Sequence, residues 1–258
     1  MLRRKPTDTV AALRVWLEEL RAQGVFRSNK LAAGGYRVFS QGDEDGMIAE
    51  VFAKIGAGAR GFVEIGCGDG RENNTAALLY SGWSGLWVDS DIRACWRAKR
   101  RYRQAVADGH LKVIWQTVTP GNINDLVCVP PDLLSIDIDG NDAHVFAALP
   151  AAWSRVVVVE YNARLGPAID WCQSYDPRHR WDGTSSFGAS LAHWEAVARA
   201  KGYDLVGCTL TGVNAILVRT DLVGGHFPWE HRAAALWEPY RPEFCSLPVG
   251  HPDGRHAL

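Results

Sequence analysis

The stretch "RGFVEIGCGDGRENNTAALL", residues 60–79, runs from an apolar segment into three glycines spaced two apart and then into residues with helical spacing. A short apolar run bounded this way reads as a buried strand. Glycines at its end let the backbone turn sharply and let a ligand approach without a Cβ in the way. The alternation continues through "GLWVD", the basic helix "IRACWRAKRRYRQAVADG", "LKVIWQTV", "DLLSIDI", the short helix "DAHVFAAL" and "RVVVVEY". Strands separated by helices imply a buried parallel sheet. The pattern changes at "YDLVGCTL" and "VNAILVR", separated only by "TG", so a β-hairpin with an antiparallel edge strand is expected to end the sheet.

Three segments are expected: a helical prefix over residues 1–58, a ligand-binding domain over 59–221, and an extension over 222–258 rich in Pro, Trp and Gly. In the prefix, Val10, Leu13, Leu17 and Leu20 recur at helical spacing, with Thr7 or Asp8 to cap the helix and Gly24 to end it. A second helix carries Met47, Ile48, Val51, Phe52 and Ile55. The extension reads either as an ordered wrap or as an interface for a homo-oligomer. Lys plus Arg number 28 against 29 Asp plus Glu, so no whole-chain electrostatic footprint marks duplex nucleic acid or an anionic membrane as partner. A small-molecule or sugar acceptor is the default, with no nucleic acid. The run "RAKRRYR", residues 97–103, reads as a solvated helix face. Six cysteines without a CxxC pair read as packed, reduced thiols, and no apolar run approaches the roughly 20 residues of a membrane span. A cytoplasmic protein is expected.

In an open α/β sheet the ligand lies at the carboxyl ends of the strands, near the point where strand order reverses. Gly66, Gly68 and Gly70 stand there after Glu64, in a GxGxG run rather than the GxGxxG that cradles a pyrophosphate. Asp89 ends the next strand, where a carboxylate can accept both hydroxyls of a ribose. With "SQGDEDG", "FVEIGCGDGRENNT", "GWSGLWVDSD", "LLSIDIDGND" and "VVVVEYN", the sequence resembles class I S-adenosylmethionine (SAM) dependent methyltransferases. More narrowly it resembles the FkbM-type family, from about Ser40 to Arg219. The resemblance implies an α/β fold with a Rossmann-like, mostly parallel sheet, an antiparallel hairpin at its end and a helical prefix. It also implies SAM as cofactor, with Glu64, Gly66 and Gly68 along its methionine part and Asp89 on its ribose, and O-methylation, commonly of a sugar hydroxyl. The chain departs from many relatives in having Asp-Ser-Asp at residues 89–91, where an acidic residue is followed by proline. Asp89 is favoured because it ends the apolar run. Asp91, Asn73 and Asn74 read as helix caps.

A second constellation lies in "LLSIDIDGND". Asp137 and Asp139, two apart on a strand, are expected to send carboxylates from one face, with Glu160 and Asn162 at the end of the neighbouring strand. Neighbouring buried carboxylates need a shared proton, a basic group or a cation, and the all-oxygen set Asp137, Asp139 and Glu160 suits Mg²⁺ or Mn²⁺. Asn141 and Asp142 read as turn and cap. Residues 162–188 have no periodicity and read as a lid or binding loop in which Trp171, Tyr175, Trp181 and Phe187 offer flat faces and His179 a base. The expected activity is SAM-dependent methylation of a hydroxyl on a sugar or glycosylated small molecule, with Asp137 and His179 as catalytic candidates. An NAD(P)-dependent oxidoreductase is opposed by the GxGxG spacing and the terminal hairpin. A catalytically silent module is opposed by intact Glu64, Asp89 and Asp137.

Overall fold

The computed structural model describes residues 18–242. The expected first helix lies outside the described residues except for its end, where residues 18–22 are helical, Leu20 is buried and Gly24 reverses the chain at φ +80°. The second prefix helix, α1 (Glu44–Ile55), buries Met47, Ile48, Val51 and Phe52 at helical spacing. Then follow β1 (Gly61–Ile65), α2 (Ala76–Tyr80), β2 (Ser84–Asp89), α3 (Ile92–Arg101), β3 (Leu111–Trp115), β4 (Leu133–Ile136), α4 (Asp142–Ala148) and β5 (Val156–Glu160). The chain continues through α5 (Leu191–Ala200) and the hairpin β6 (Tyr203–Cys208) and β7 (Asn214–Arg219).

These strands form one seven-stranded sheet in the order β3-β2-β1-β4-β5-β7-β6. All pairs from β3 to β5 are parallel, and β7 pairs antiparallel with both β5 and β6. This is the Rossmann-like α/β sheet that the resemblance implied, with one adjustment at its end. The antiparallel strand is β7, one place in from the edge, and β6 forms the edge. The connection spans residues 209–213, because the Thr209 hydroxyl accepts from the amides of Val213 and Asn214 and holds the loop outside the ladder.

The central strands are buried on both faces, as a covered parallel sheet requires. On one side Leu31, Met47, Ile48 and Val51 of the prefix pack with Trp87, Ala98 and Tyr102, and with Phe227 of the extension. On the other, Ile136, Val145, Phe146 and Trp194 pack with Ala233 and Leu236. The extension thus packs on both faces of the sheet as far as the described residues reach. Gly212, at φ +69°, lies so close that an added Cβ would stand 2.2 Å from the Pro239 carbonyl oxygen. Among the described residues no helix is long and apolar enough to cross a membrane.

"SQGDEDG" proves to be a knot that fastens the prefix. One Asp45 carboxylate oxygen accepts from the amides of Val38, Phe39 and Ser40 and from the Ser40 hydroxyl. Glu44 accepts from Gly42 N and from Asn214 Nδ2 of β7. Asp43 accepts from Leu210 N in the hairpin loop.

Candidate functional site

Strand order reverses between β1, which leads outward to β2 and β3, and β4 on its other side. A cleft of about 890 Å³ opens at the carboxyl ends of these strands. The glycine loop forms one wall. Gly66 and Cys67 donate to the Val88 carbonyl, which draws the loop against β2. Gly66 has φ +86°, and a Cβ there would stand 1.6 Å from the Asp137 carbonyl oxygen, so it is required by packing between β1 and β4. Gly68 differs: its φ is +54°, yet nothing lies within 4 Å of where a Cβ would project. It leaves a backbone ledge open to the cleft.

Asp89 secures that ledge. Its carboxylate accepts from Gly68 N and from Asp91 N, each at 2.7 Å. Each oxygen retains acceptor capacity, and the half-buried side chain lines the cleft. Asp91 caps α3, as expected, by accepting from Arg93 N. Glu64 lies beneath the ledge, with a carboxylate that accepts from Asn74 N, Thr75 N and the Thr75 hydroxyl. It thereby satisfies the chain entering α2, the part expected of Asn73 and Asn74. Those two instead send their side-chain amides to the Cys67 carbonyl and the Ser135 hydroxyl. Burial raises the Glu64 carboxyl to about 7 against these hydrogen bonds.

At the ends of β4 and β5, Asp137, Asp139 and Glu160 can place one carboxylate oxygen each within 4.8 Å of one another. Strand alternation is not what gathers them, since β4 ends at Ile136 and Asp139 stands at φ +58° in a tight turn. Asp142 closes that turn by accepting from Ile138 N and Gly140 N. Burial raises Asp137 and Glu160 well above the usual carboxylate range, and the neighbouring charges that act on them, Asp139 and Asp142 among them, are all acidic. Such a set calls for a proton or a cation, and its oxygen donors fit a hard divalent ion. His179 reaches in from the long loop. Its Nε2 lies 2.9 Å from the Asp139 carbonyl oxygen, which can only accept, so Nε2 donates there and Nδ1 is the ring nitrogen left for another partner. Its ring also packs against Gly140, where a Cβ would meet it at 2.4 Å.

The long loop contributes Tyr175, Trp181 and Phe187 to the cleft, whereas Trp171 is held by Ser190. Asn162 anchors the loop by donating to the carbonyls of Ser185 and Phe187. Several cleft residues escaped sequence reasoning: Gln41 of the prefix, Gln116 to Thr119 after β3, Asn214 of the hairpin and Tyr240 of the extension. Only the third strand's end carried a usable signal, because it is the next carboxyl end in the parallel series. Arg164 also lines the cleft, with its guanidinium 5.4 Å from the Tyr240 ring centre.

The fold is that of the class I methyltransferases. A putative caffeoyl-CoA O-methyltransferase from Staphylococcus aureus superposes with a TM-score of 0.50 at 11% identity, over 80% of this chain and 98% of that one. The SAM-bound magnesium protoporphyrin IX methyltransferase from Synechocystis PCC 6803 matches 68% of this chain and 77% of its own at 14% identity and a TM-score of 0.44. No family model and no curated protein matches the sequence. The likeness is therefore one of fold.

Proposed function

We propose that the chain is a SAM-dependent methyltransferase acting on a hydroxyl of a sugar or glycosylated small molecule. The carrying observation is the open ledge at Gly68, fastened to Asp89 in a cleft that Asp137, Asp139, Glu160 and His179 also line. A ledge without side chains fits the close approach of a cofactor, and the Asp89 oxygens fit a diol. When bound, SAM supplies an electrophilic methyl group.

The chain's residues have three tasks. The cleft walls hold the acceptor oxygen in line with the methyl group, an effect worth up to about 7–11 kcal/mol. The loop carrying Trp181 and Phe187 offers flat faces to a ring and covers the site from water. The acceptor's proton goes to His179 Nδ1 or to Asp137. The carboxylate trio would hold Mg²⁺ or Mn²⁺, which supplies Lewis acidity to neighbouring hydroxyls.

Thermal shift with separate ligands tests the cofactor. SAM and S-adenosylhomocysteine are expected to raise the melting temperature and NAD to leave it unchanged. Stabilisation by NAD alone would transfer the cleft to hydride chemistry. Methyl transfer from labelled SAM across a set of glycosides tests the acceptor class, and transfer to no glycoside would remove the sugar assignment.

A further inference from the structure

Helix α3 carries more positive charge than its fold requires. Ala94, Cys95 and Ala98 face the sheet, and Tyr102, just past the helix, is buried with them. The opposite face presents Ile92, Trp96 and Arg100 as its central stripe, at i, i+4 and i+8. Arg93 and Arg97 flank it on one side and Lys99 on the other, and Arg103 follows just past the helix end. The apolar members are unusually bare: Ile92 is 53% exposed and Trp96 61%. Trp115, 58% exposed, extends the ridge at the start of the helix, where its Nε1 donates to the Ser90 carbonyl. Arg100 lies over the Trp96 ring at 5.7 Å, and Ile92, Arg93, Trp96 and Arg97 line a shallow depression. Arg97 is balanced by Asp69 and Asp91. No ion pair joins Arg93, Lys99, Arg100 or Arg103 to an acid among the described residues. A near-zero charge for the whole chain conceals this concentration.

We propose that the outer face of α3, together with Trp115, docks on an anionic lipid bilayer. Two features select this occupant. Bare tryptophan and isoleucine side chains rimmed by guanidinium and ammonium groups match the interfacial layer of a membrane, where indoles and aliphatic groups enter beside the headgroups and cations meet lipid phosphates. The surface is also the outside of a single helix at the β3 edge of the sheet, interrupted only by that shallow depression. Single-stranded nucleic acid is held in a basic groove that tracks its backbone. Arg97 lines both the depression and the cleft, and Ser90, which accepts from Trp115, lines the cleft as well, so docking places the proposed cofactor end of the cleft beside the membrane.

The full chain should co-sediment with vesicles of phosphatidylcholine and phosphatidylglycerol, not with phosphatidylcholine alone, and binding should weaken with added salt. Ile92→Ser with Trp96→Ser, and separately Arg93→Glu with Arg100→Glu, should each lower partitioning by about tenfold or more without changing the melting temperature. Quenching of native tryptophan fluorescence by bromine-labelled acyl chains tests insertion without any variant. Failure to bind the anionic vesicles overturns the proposal. So does binding unaffected by the Ile92 and Trp96 changes, which would mark simple charge attraction, and so does preference for an oligouridine over vesicles. None of these outcomes bears on SAM binding.

Discussion

Gly66 and Gly68 stand two residues apart, both with positive φ, for different reasons. At Gly66 the Asp137 carbonyl leaves no room for a Cβ, so Gly66→Ala should disrupt the join between β1 and β4 and lower the melting temperature. At Gly68 the space is open, so a larger side chain would intrude on a ligand more than on the protein. Gly68→Val is expected to yield a protein somewhat less stable, because a β-branched residue is held at that φ, and whose SAM affinity falls by about tenfold or more, at least about 1.4 kcal/mol, through steric intrusion on the ligand. Calorimetric titration with unchanged affinity would remove the ledge from the binding site. The carboxylate trio sets a second test. EDTA should abolish methyl transfer, Mg²⁺ or Mn²⁺ should restore it, and SAM binding should persist, because Gly68 and Asp89 follow β1 and end β2, whereas the trio follows β4 and ends β5. If activity is full in EDTA while Asp137→Asn and His179→Ala each lower turnover roughly 10²- to 10⁴-fold, the proton passes to those side chains without a cation.

At the scale of elements, the apolar runs and their helical interludes announced the parallel sheet because burial on both faces leaves a local signature in each strand. Asp89 and Glu160 were legible as strand ends for the same reason. The partners of these residues were not legible. Nothing within "FVEIGCGDG" says that Glu64 turns to the amides before α2, and strand periodicity wrongly predicted how Asp137 and Asp139 converge, because a left-handed turn brings them together. The prefix knot shows the same limit. Asp43 is held up at about 7, first by burial and then by the adjacent Glu44, although Leu210 N, 167 positions away, stabilises its charged form. A carboxyl raised from 3.8 to about 7 on folding leaves the native state with more bound protons than the unfolded chain across that interval. Its contribution is therefore complete below pH 3.8 and is lost as pH rises towards 7. Asp43→Asn should flatten the decline in melting temperature between those limits, read by circular dichroism in parallel with the parent. An identical slope in both proteins would show that Asp43 does not carry that proton.

For the molecule as a whole, residues 59–221 contain every strand and most cleft residues, and by sequence they look like a complete domain. The packing argues otherwise. Removing the prefix strips Leu31, Met47, Ile48 and Val51 from one core, and removing the extension strips Phe227 from that core and Leu236 from the other. Each such side chain is worth about 1.5–3 kcal/mol when buried, against a net stability of about 5–15 kcal/mol for an ordinary domain. The losses also reach polar groups. Without the prefix, Asn214 Nδ2 loses Glu44 and Leu210 N loses Asp43, while without the extension the Tyr161 hydroxyl loses the Glu238 carbonyl to which it donates. Buried donors left without acceptors cost about 1–3 kcal/mol apiece. A fragment spanning residues 59–221 is therefore expected to show no cooperative thermal transition and no heat of SAM binding, whereas the full chain shows both. Gln41 and Tyr240 sharpen the prediction, since each lines the cleft from outside the fragment. A cooperative melt from the fragment would show that the sheet and its own helices suffice as a folding unit, leaving the flanking segments only the tasks of walling the cleft and holding the acceptor.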